Sequence, residues 1–346
     1  MTNSSSDPPR RPACAAEAAS ARQRSGEFEL IAKYFAPLAA GSPGAVGLTD
    51  DAAFVAPGAG QELVVTTDAL IEGVHFRRAD PAEKIGAKAL RVNLSDLAAK
   101  GAEPVGYLLV LCLPAWTDED WIRQFVSGLA EDQQRFKLSL LGGDTTAIPG
   151  PLVISITALG TVPTGTAIHR YGAKPGDLVF VSGTVGDAAV GLSLLTAASS
   201  AGSPEESELI DRYLLPQPRL SVGRRLRGIA TAALDVSDGL LADLNHIAEV
   251  SGVRITAEAP RLPLSPAYIR QNSEQIAARS HAATAGDDYE IAFTAPPEGR
   301  ETIAQIAAET GVAISEIGRV GTGTGVLLVD MEGQPVPVER LGYVHF

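Results

Sequence analysis

Leu63-Val-Val-Thr-Thr-Asp-Ala-Leu-Ile-Glu-Gly-Val-His-Phe76 is the stretch from which the fold is read. Leu63, Val64 and Val65 form a short apolar run rich in β-branched side chains, which reads as a buried strand. The run stops at Thr66, Thr67 and Asp68. Two hydroxyls and a carboxylate at a strand end are oxygen ligands suited to a hard cation such as Mg²⁺. The alternative is an ordinary polar turn.

The same punctuation recurs further out. Leu138–Leu141 reads as a strand running into Gly142-Gly143-Asp144-Thr145-Thr146, where glycines let backbone approach a ligand. Leu234-Asp235-Val236-Ser237-Asp238-Gly239 is a third case. The residues after it, Leu240, Leu241, Leu244, Ile247 and Ala248, have helical spacing. Capping explains one of Ser237 and Asp238 but not Asp235, and free N–H groups at such a terminus suit a phosphate. Gly286-Asp287-Asp288-Tyr289-Glu290 precedes an apolar strand, Ile291–Phe293. Upstream, Asp50 and Asp51 precede an expected strand ending at Val55. Alternation would let only one of them face a given site, and a solvated turn is the plainer reading.

A helix is expected over 82–100. Leu90, Leu94 and Leu97 form one stripe; Ile85, Ala89, Val92 and Asp96 form its neighbour. Asp96 is thus a carboxylate on an apolar flank, beside Asn93, and needs a metal or a cation such as Arg91 or Lys100. Phe28, Ile31, Ala32 and Phe35 predict a short amphipathic helix, and Tyr107–Leu113 a strand. Thr117 and Asp120 predict a capping box ahead of a helix carrying Trp121, Ile122, Phe125 and Leu129. Val153–Leu159 alternates as a half-exposed strand would, and Leu178–Val181 is a further strand. Residues 197–208 read as a polar loop. Around Val162–Gly176 the texture turns to Pro, Gly and Thr, which sets the expected division: a disordered tail 1–25 and domains 26–163 and 164–346. The aromatic run Gly342–Phe346 reads as a segment that closes over a ligand.

Composition agrees with an enzyme. Hydrophobic residues make up 45% and aromatics only 5%, while 35 Gly and 23 Pro favour an α/β or α+β fold over a helical bundle. The net charge of −13 and the lack of a basic block argue against a nucleic-acid partner. No apolar run is long enough for a bilayer, and no signal-peptide core is present, so a cytoplasmic protein is expected. Cys14 and Cys112 have no metal-site spacing and predict no disulfide framework. There is no P-loop and no H-R-D or D-F-G set; Gly321, Gly323 and Gly325 read as a turn.

Taken in order, Gly26-Glu-Phe, Thr49-Asp-Asp51, Thr66-Thr-Asp68, Val74-His75-Phe76, Asn93-Leu-Ser-Asp96-Leu-Ala-Ala, Gly142-Gly-Asp144-Thr-Thr, Asp235-Val-Ser-Asp238-Gly and Gly286-Asp-Asp-Tyr-Glu290 resemble the thiamine-monophosphate kinase family. That family belongs to the superfamily of aminoimidazole ribonucleotide synthetase and selenophosphate synthetase. The resemblance implies two domains: an N-terminal α/β domain whose sheet pairs with a second copy's to form a dimer barrel, and a C-terminal α+β domain. It implies ATP-dependent phosphorylation of thiamine monophosphate in a homodimer with several Mg²⁺ ions.

By position, the resemblance implies a magnesium shell of Asp51, Thr66, Thr67, Asp68, Asp96, Asp144, Asp235 and Asp238. Asp68, Asp144 and Asp238 are its catalytic members. Thr67, Gly143, Asp144, Arg170 and Ser237 would contact ATP, and His75, Asp287 and Tyr343 the substrate. Many relatives carry Glu where this chain has Asp287, one methylene shorter. A ring-closing synthetase would use the same acids, but Val74-His75-Phe76 and the aromatic C-terminus favour the thiamine substrate. Selenophosphate synthesis would need a reactive Cys, for which Cys14 is poorly placed. A non-catalytic nucleotide- or thiamine-phosphate-binding protein is the remaining alternative.

Overall fold

The computed structural model describes residues 26–197, 202–272 and 275–344. The expected tail, His345 and Phe346 lie outside them. The strands are β1 (Gln61–Ile71), β2 (Glu103–Leu113), β3 (Ser139–Ala147), β4 (Val153–Pro163), β5 (Leu178–Ser182), β6 (Ala232–Asp235), β7 (Arg254–Glu258), β8 (Ile291–Ala295), β9 (Ile314–Gly321) and β10 (Gly325–Val329). The helices are α1 (Glu27–Leu30), α2 (Ala36–Ala39), α3 (Ala82–Ala99), α4 (Glu119–Phe136), α5 (Asp187–Thr196), α6 (Pro204–Leu214), α7 (Leu220–Leu226), α8 (Leu240–Ser251), α9 (Pro266–Asn272), α10 (Ile276–Thr284) and α11 (Arg300–Thr310).

Two mixed sheets result. The first has four strands in the order β1-β4-β2-β3, with β2 and β3 parallel across α4 and the other pairs antiparallel. The second has six strands in the order β10-β7-β9-β5-β8-β6. Residues 164–177, between the sheets, hold neither helix nor strand. The alternation read over Val153–Leu159 is present: Ile154, Ile156 and Ala158 are fully buried while their neighbours are half-exposed. They face α3 and α4, so this sheet is covered on one side. By contrast, β5 and β8 are buried at every position. Phe180 and Phe293 enter the core around α3, whereas Val179, Val181 and Ala292 enter a second core with α8 and α10. A strand covered on both faces reads as continuous apolar sequence.

Helix α3 lies at the centre, and most of its side chains are buried all round. That environment explains how it holds charged residues. Arg91 makes a bidentate pair with buried Asp132 of α4, at 2.6 and 2.8 Å, and donates to the carbonyls of Leu215 and Pro216 beyond α6. One guanidinium thereby joins helices from both halves of the chain.

Several local expectations need correction. β1 does not stop at Val65: all its residues from Gln61 to Ile71 pair with β4, so Thr66, Thr67 and Asp68 are strand interior. Asp144 likewise lies inside β3. No strand forms over 52–55; the chain there bends, so alternation does not separate Asp50 from Asp51. The cap of α4 is Asp118, whose carboxylate accepts from Trp121 N, while the Thr117 hydroxyl bonds back to Pro114 O. Part of 197–208 is helical, because Ser203 and Glu206 form a capping box that starts α6. Between α1 and α2 the backbone makes a π turn, Ile31–Phe35. Its five-residue spacing buries Leu30 and Phe35 and leaves Phe28 exposed.

Candidate active site

Strand pairing decides where the acids go. Side chains alternate along β1, so Thr66 and Asp68 share the face toward α3, while Thr67 takes the outer face. Across the sheet, Thr67 is level with Thr157, Leu108 and Gly142; one row on, Ala69 is level with Ser155, Val110 and Asp144. Thr67 and Asp144 therefore share the outer face, opposite Asp68. The acids of the expected magnesium shell are divided between two cavities, and Thr66 and Thr67 line neither.

The first cavity, about 380 Å³, is lined by Asp68 from β1, Asp96 from α3, Asp235 at the end of β6, and Ser237 and Asp238 just after it. His75, Asp287 and Tyr343 line the same space, with apolar Val74, Ala189 and Leu192. Thr66 Oγ1 donates to Asp96. Neither expected cation pairs with Asp96: Arg91 holds Asp132, and Lys100 Nζ donates to Ala233 O at 2.8 Å. Asn93 Oδ1 accepts from Asp68 N at 3.1 Å. The second cavity, about 760 Å³, lies on the outer sheet face and is lined by Asp50, Asp51, Gly143, Asp144 and Thr157, with Thr157 Oγ1 donating to Thr67 Oγ1 at 3.0 Å. Arg170 is exposed and lines neither.

The charges of the first cavity oppose one another. Burial pushes the Asp68 carboxyl up to about 6, and Asp96 adds to the rise. Burial, then Asp96, raises Asp235 well above the usual carboxylate range. Burial brings the Lys100 ammonium down to about 8; Arg170 lowers it further, and Asp235 and Asp96 oppose the fall. A donor set of carboxylate oxygens with mutual repulsion fits Mg²⁺, which prefers hard oxygen ligands and keeps several waters. The acids are not gathered round one point. Among the described residues, the one trio of His, Cys, Asp or Glu whose ligand atoms lie within 4.8 Å of one another is Asp238, Asp243 and His246.

Asp243 has a structural task that the sequence did not disclose. Its Oδ2 accepts from the backbone N–H of Ser237, Asp238 and Gly239, each at 3.1 Å. The amides expected to face a phosphate are thus turned onto a side chain one helical turn ahead, and Gly239 is the cap residue of α8. Burial, with help from Asp238, raises Asp243 to about 7, against the pull of those amides. Gly143 also has a local cause: a Cβ there would meet Leu109 O at 1.9 Å, so the neighbouring strand, not a ligand, requires glycine.

Other residues were missed as well. Lys88 of α3 is buried and meets Asp287 Oδ2 at 3.3 Å. Its signal was visible in part: a lysine inside the otherwise uncharged run Ile85-Gly-Ala-Lys88-Ala-Leu90, within the apolar stripes of the helix. Glu290 is fully buried and takes Arg212, Arg219 and the Ser182 hydroxyl, at 2.5–2.7 Å. No spacing rule announces that cluster. At the C-terminus, Ala242 N donates to Leu341 O at 3.1 Å and Tyr343 N donates to Asp238 O at 2.8 Å. The chain end is thus fastened beside Asp238.

The family described as AIR synthase related protein, N-terminal domain, matches residues 49–162, and its C-terminal domain counterpart matches 174–330. The thiamine-monophosphate kinase of Caulobacter vibrioides is 45% identical over 322 residues, covering 92% of this chain and 90% of that protein. That of Escherichia coli K12 is 39% identical, covering 93% and 98%. Among solved structures, the thiamine-monophosphate kinase of Stenotrophomonas maltophilia superposes with a TM-score of 0.77 at 43% identity, covering 84% of this chain and 91% of that one. AaThiL in complex with AMPPCP and TMP superposes with a TM-score of 0.75 at 35% identity, covering 86% and 91%. With both domains matched and this identity held over nearly its whole described length, the chain belongs to the thiamine-monophosphate kinase family.

Proposed function

We propose that this chain transfers the γ-phosphoryl group of ATP directly to the phosphate of thiamine monophosphate, giving thiamine diphosphate and ADP. The observation that carries the reading is one cavity lined by Asp68, Asp96, Asp235 and Asp238 together with the three expected substrate residues, His75, Asp287 and Tyr343. Its support from relatives is the AaThiL complex, which holds AMPPCP and TMP.

The acceptor is a phosphate monoester with a second pKa of about 6. It is mostly ionised at neutral pH, so one of its oxygens can attack the γ-phosphorus as the bond to the β-phosphate oxygen breaks, without a strong protein base. This chain's task is to hold two polyanions in line. Asp68, Asp96, Asp235 and Asp238 would hold Mg²⁺ in the first cavity. Thr66 steadies Asp96, while Asp51, Thr67 and Asp144 would act from the outer face. Bound Mg²⁺ would offset charge on the phosphates as they approach. Ser237 would contact the nucleotide from the first cavity and Gly143 from the outer face, whereas Arg170, which lines neither cavity, would need to reach the nucleotide from outside both. Tyr343 would stack on the cationic thiazolium, a contact worth about 0.5–2 kcal/mol.

The same reading takes 26–163 and 164–346 as the two domains and makes the active form a homodimer in the cytoplasm. Its support is the outer face of the first sheet, where Leu63, Val65, Leu108 and Val110 are 39%, 58%, 38% and 37% exposed. Apolar residues on one sheet face suit a second copy of the same face. Val65→Lys is expected to shift the mass measured by light scattering from dimer to monomer; an unchanged dimer would remove this interface from the proposal. No helix of the described residues is long and apolar enough to cross a membrane.

The test of function is ADP release with ATP, Mg²⁺ and thiamine monophosphate, with the product identified by chromatography. Thiamine diphosphate formed only with Mg²⁺, and not from free thiamine, is expected. ATP binding without product would turn the reading toward the ring-closing chemistry of the superfamily.

A further inference from the structure

A lysine inside a helix core needs partners for its charge. Lys88 is 2% exposed and has three. Its Nζ donates to His75 O at 3.0 Å, pairs with Asp287 Oδ2 at 3.3 Å, and lies 3.7 Å from the centroid of the Tyr213 ring. Burial lowers the ammonium below its ordinary range, and Asp287 opposes that shift. Tyr213 also donates its hydroxyl to His75 O, at 3.3 Å.

These partners come from separate elements. His75 follows β1, Asp287 precedes β8, and Tyr213 belongs to α6. His75 and Asp287 line the first cavity, whereas Lys88 does not. Asp287 also holds a backbone φ of +70°, a region that non-glycine residues keep only where the surrounding structure fixes them. Lys88 supplies one such restraint on its side chain. Tyr289 supplies the other, donating its hydroxyl to Asp287 Oδ1 at 3.2 Å.

We infer that Lys88 is a positioning residue for the substrate: it fixes the Asp287 carboxylate and the His75 backbone against each other across the cavity. It acts from behind the cavity wall, through groups that touch the substrate. Its positive charge also offsets that of Asp287. Asp287 would then recognise the substrate by a placed hydrogen bond or polar contact more than by bulk attraction for the cationic ring. This inference rests on the proposed use of the cavity for thiamine monophosphate.

Lys88→Met in the full chain tests it. The expected result is a KM for thiamine monophosphate raised about 10-fold, with the KM for ATP within about twofold of the parent, a shift of roughly 1.4 kcal/mol confined to one substrate. A merely structural role would move both constants or only the melting temperature, and that pattern overturns the inference. The double variant Lys88→Met/Asp287→Asn is expected to be no worse than Asp287→Asn alone, because both break one pair; additive effects would separate Lys88 from Asp287. Should Lys88→Met fail to fold, Lys88→Gln carries the test by keeping a donor for the His75 carbonyl while removing the ion pair with Asp287, and an unchanged KM for thiamine monophosphate would overturn the inference. A parent chain that makes no thiamine diphosphate at all rejects the proposed function; a working parent with an unaffected Lys88→Met variant rejects the positioning role alone.

Discussion

Asp68→Asn is expected to cut thiamine diphosphate formation by at least about 10²–10³-fold, the loss that follows removal of one electrostatic stabiliser from a reacting site. The amide keeps the size of the carboxylate and removes its charge, so a cation bound there loses an anionic ligand. The same substitution should leave the fold more stable when metal is withheld. Burial and Asp96 hold the Asp68 carboxyl at about 6, against 3.8 for the ordinary group. The folded state therefore binds this proton more tightly than the unfolded chain. Its stabilising contribution is complete below about pH 4, fades as the pH rises to about 6, and is absent above that. Two pH units correspond to about 2–3 kcal/mol, and Asn escapes that loss. Turnover and thermal melting at pH 8 with EDTA check both halves. Unchanged turnover would take Asp68 out of the site.

Arg91→Leu should produce the largest loss of stability. It leaves Asp132, which is 1% exposed, without its bidentate partner, and leaves the carbonyls of Leu215 and Pro216 without their donor. Breaking a buried ion pair from one side costs about 3–5 kcal/mol. For domains of this size that lowers the melting temperature by on the order of 10 °C. The double variant Arg91→Met/Asp132→Leu should recover most of it, because no charge is then stranded. A calorimetric scan decides: if the single variant melts within a degree or so of the parent, the pair contributes little.

The two cases show which parts of the molecule the sequence disclosed. Acids embedded in apolar runs are conspicuous because burying a charge needs a reason, so Asp68, Asp96 and Asp235 could be picked out. The helix over 82–100 and the strand over Val153–Leu159 were legible because each has a regular apolar period. The ends of β1 and β3 were not. Thr66-Thr-Asp68 and Gly142-Gly-Asp144 have no apolar signal, and what keeps them in strand is hydrogen bonding to β4 and β2, far away in the chain. The error had a consequence for the site, since a continuing strand sends Asp68 and Asp144 to opposite faces. Side-chain partnerships were hidden for the same reason. Lys88 and Asp287 are 199 positions apart, and Glu290 lies 71 from Arg219. The π turn at Ile31–Phe35 shifted the buried face away from Phe28, which no 3.6-residue period could reveal.

The fastening of Tyr343 N to Asp238 O also constrains position 342. Gly342 leaves no slack in it: a Cβ there would meet that same carbonyl at 2.5 Å. The same Cβ would press on the Ala242 side chain at 2.7 Å, so any residue larger than glycine at 342 pries the 341–343 segment off the start of α8 and disturbs the Asp238 wall of the cavity from outside it.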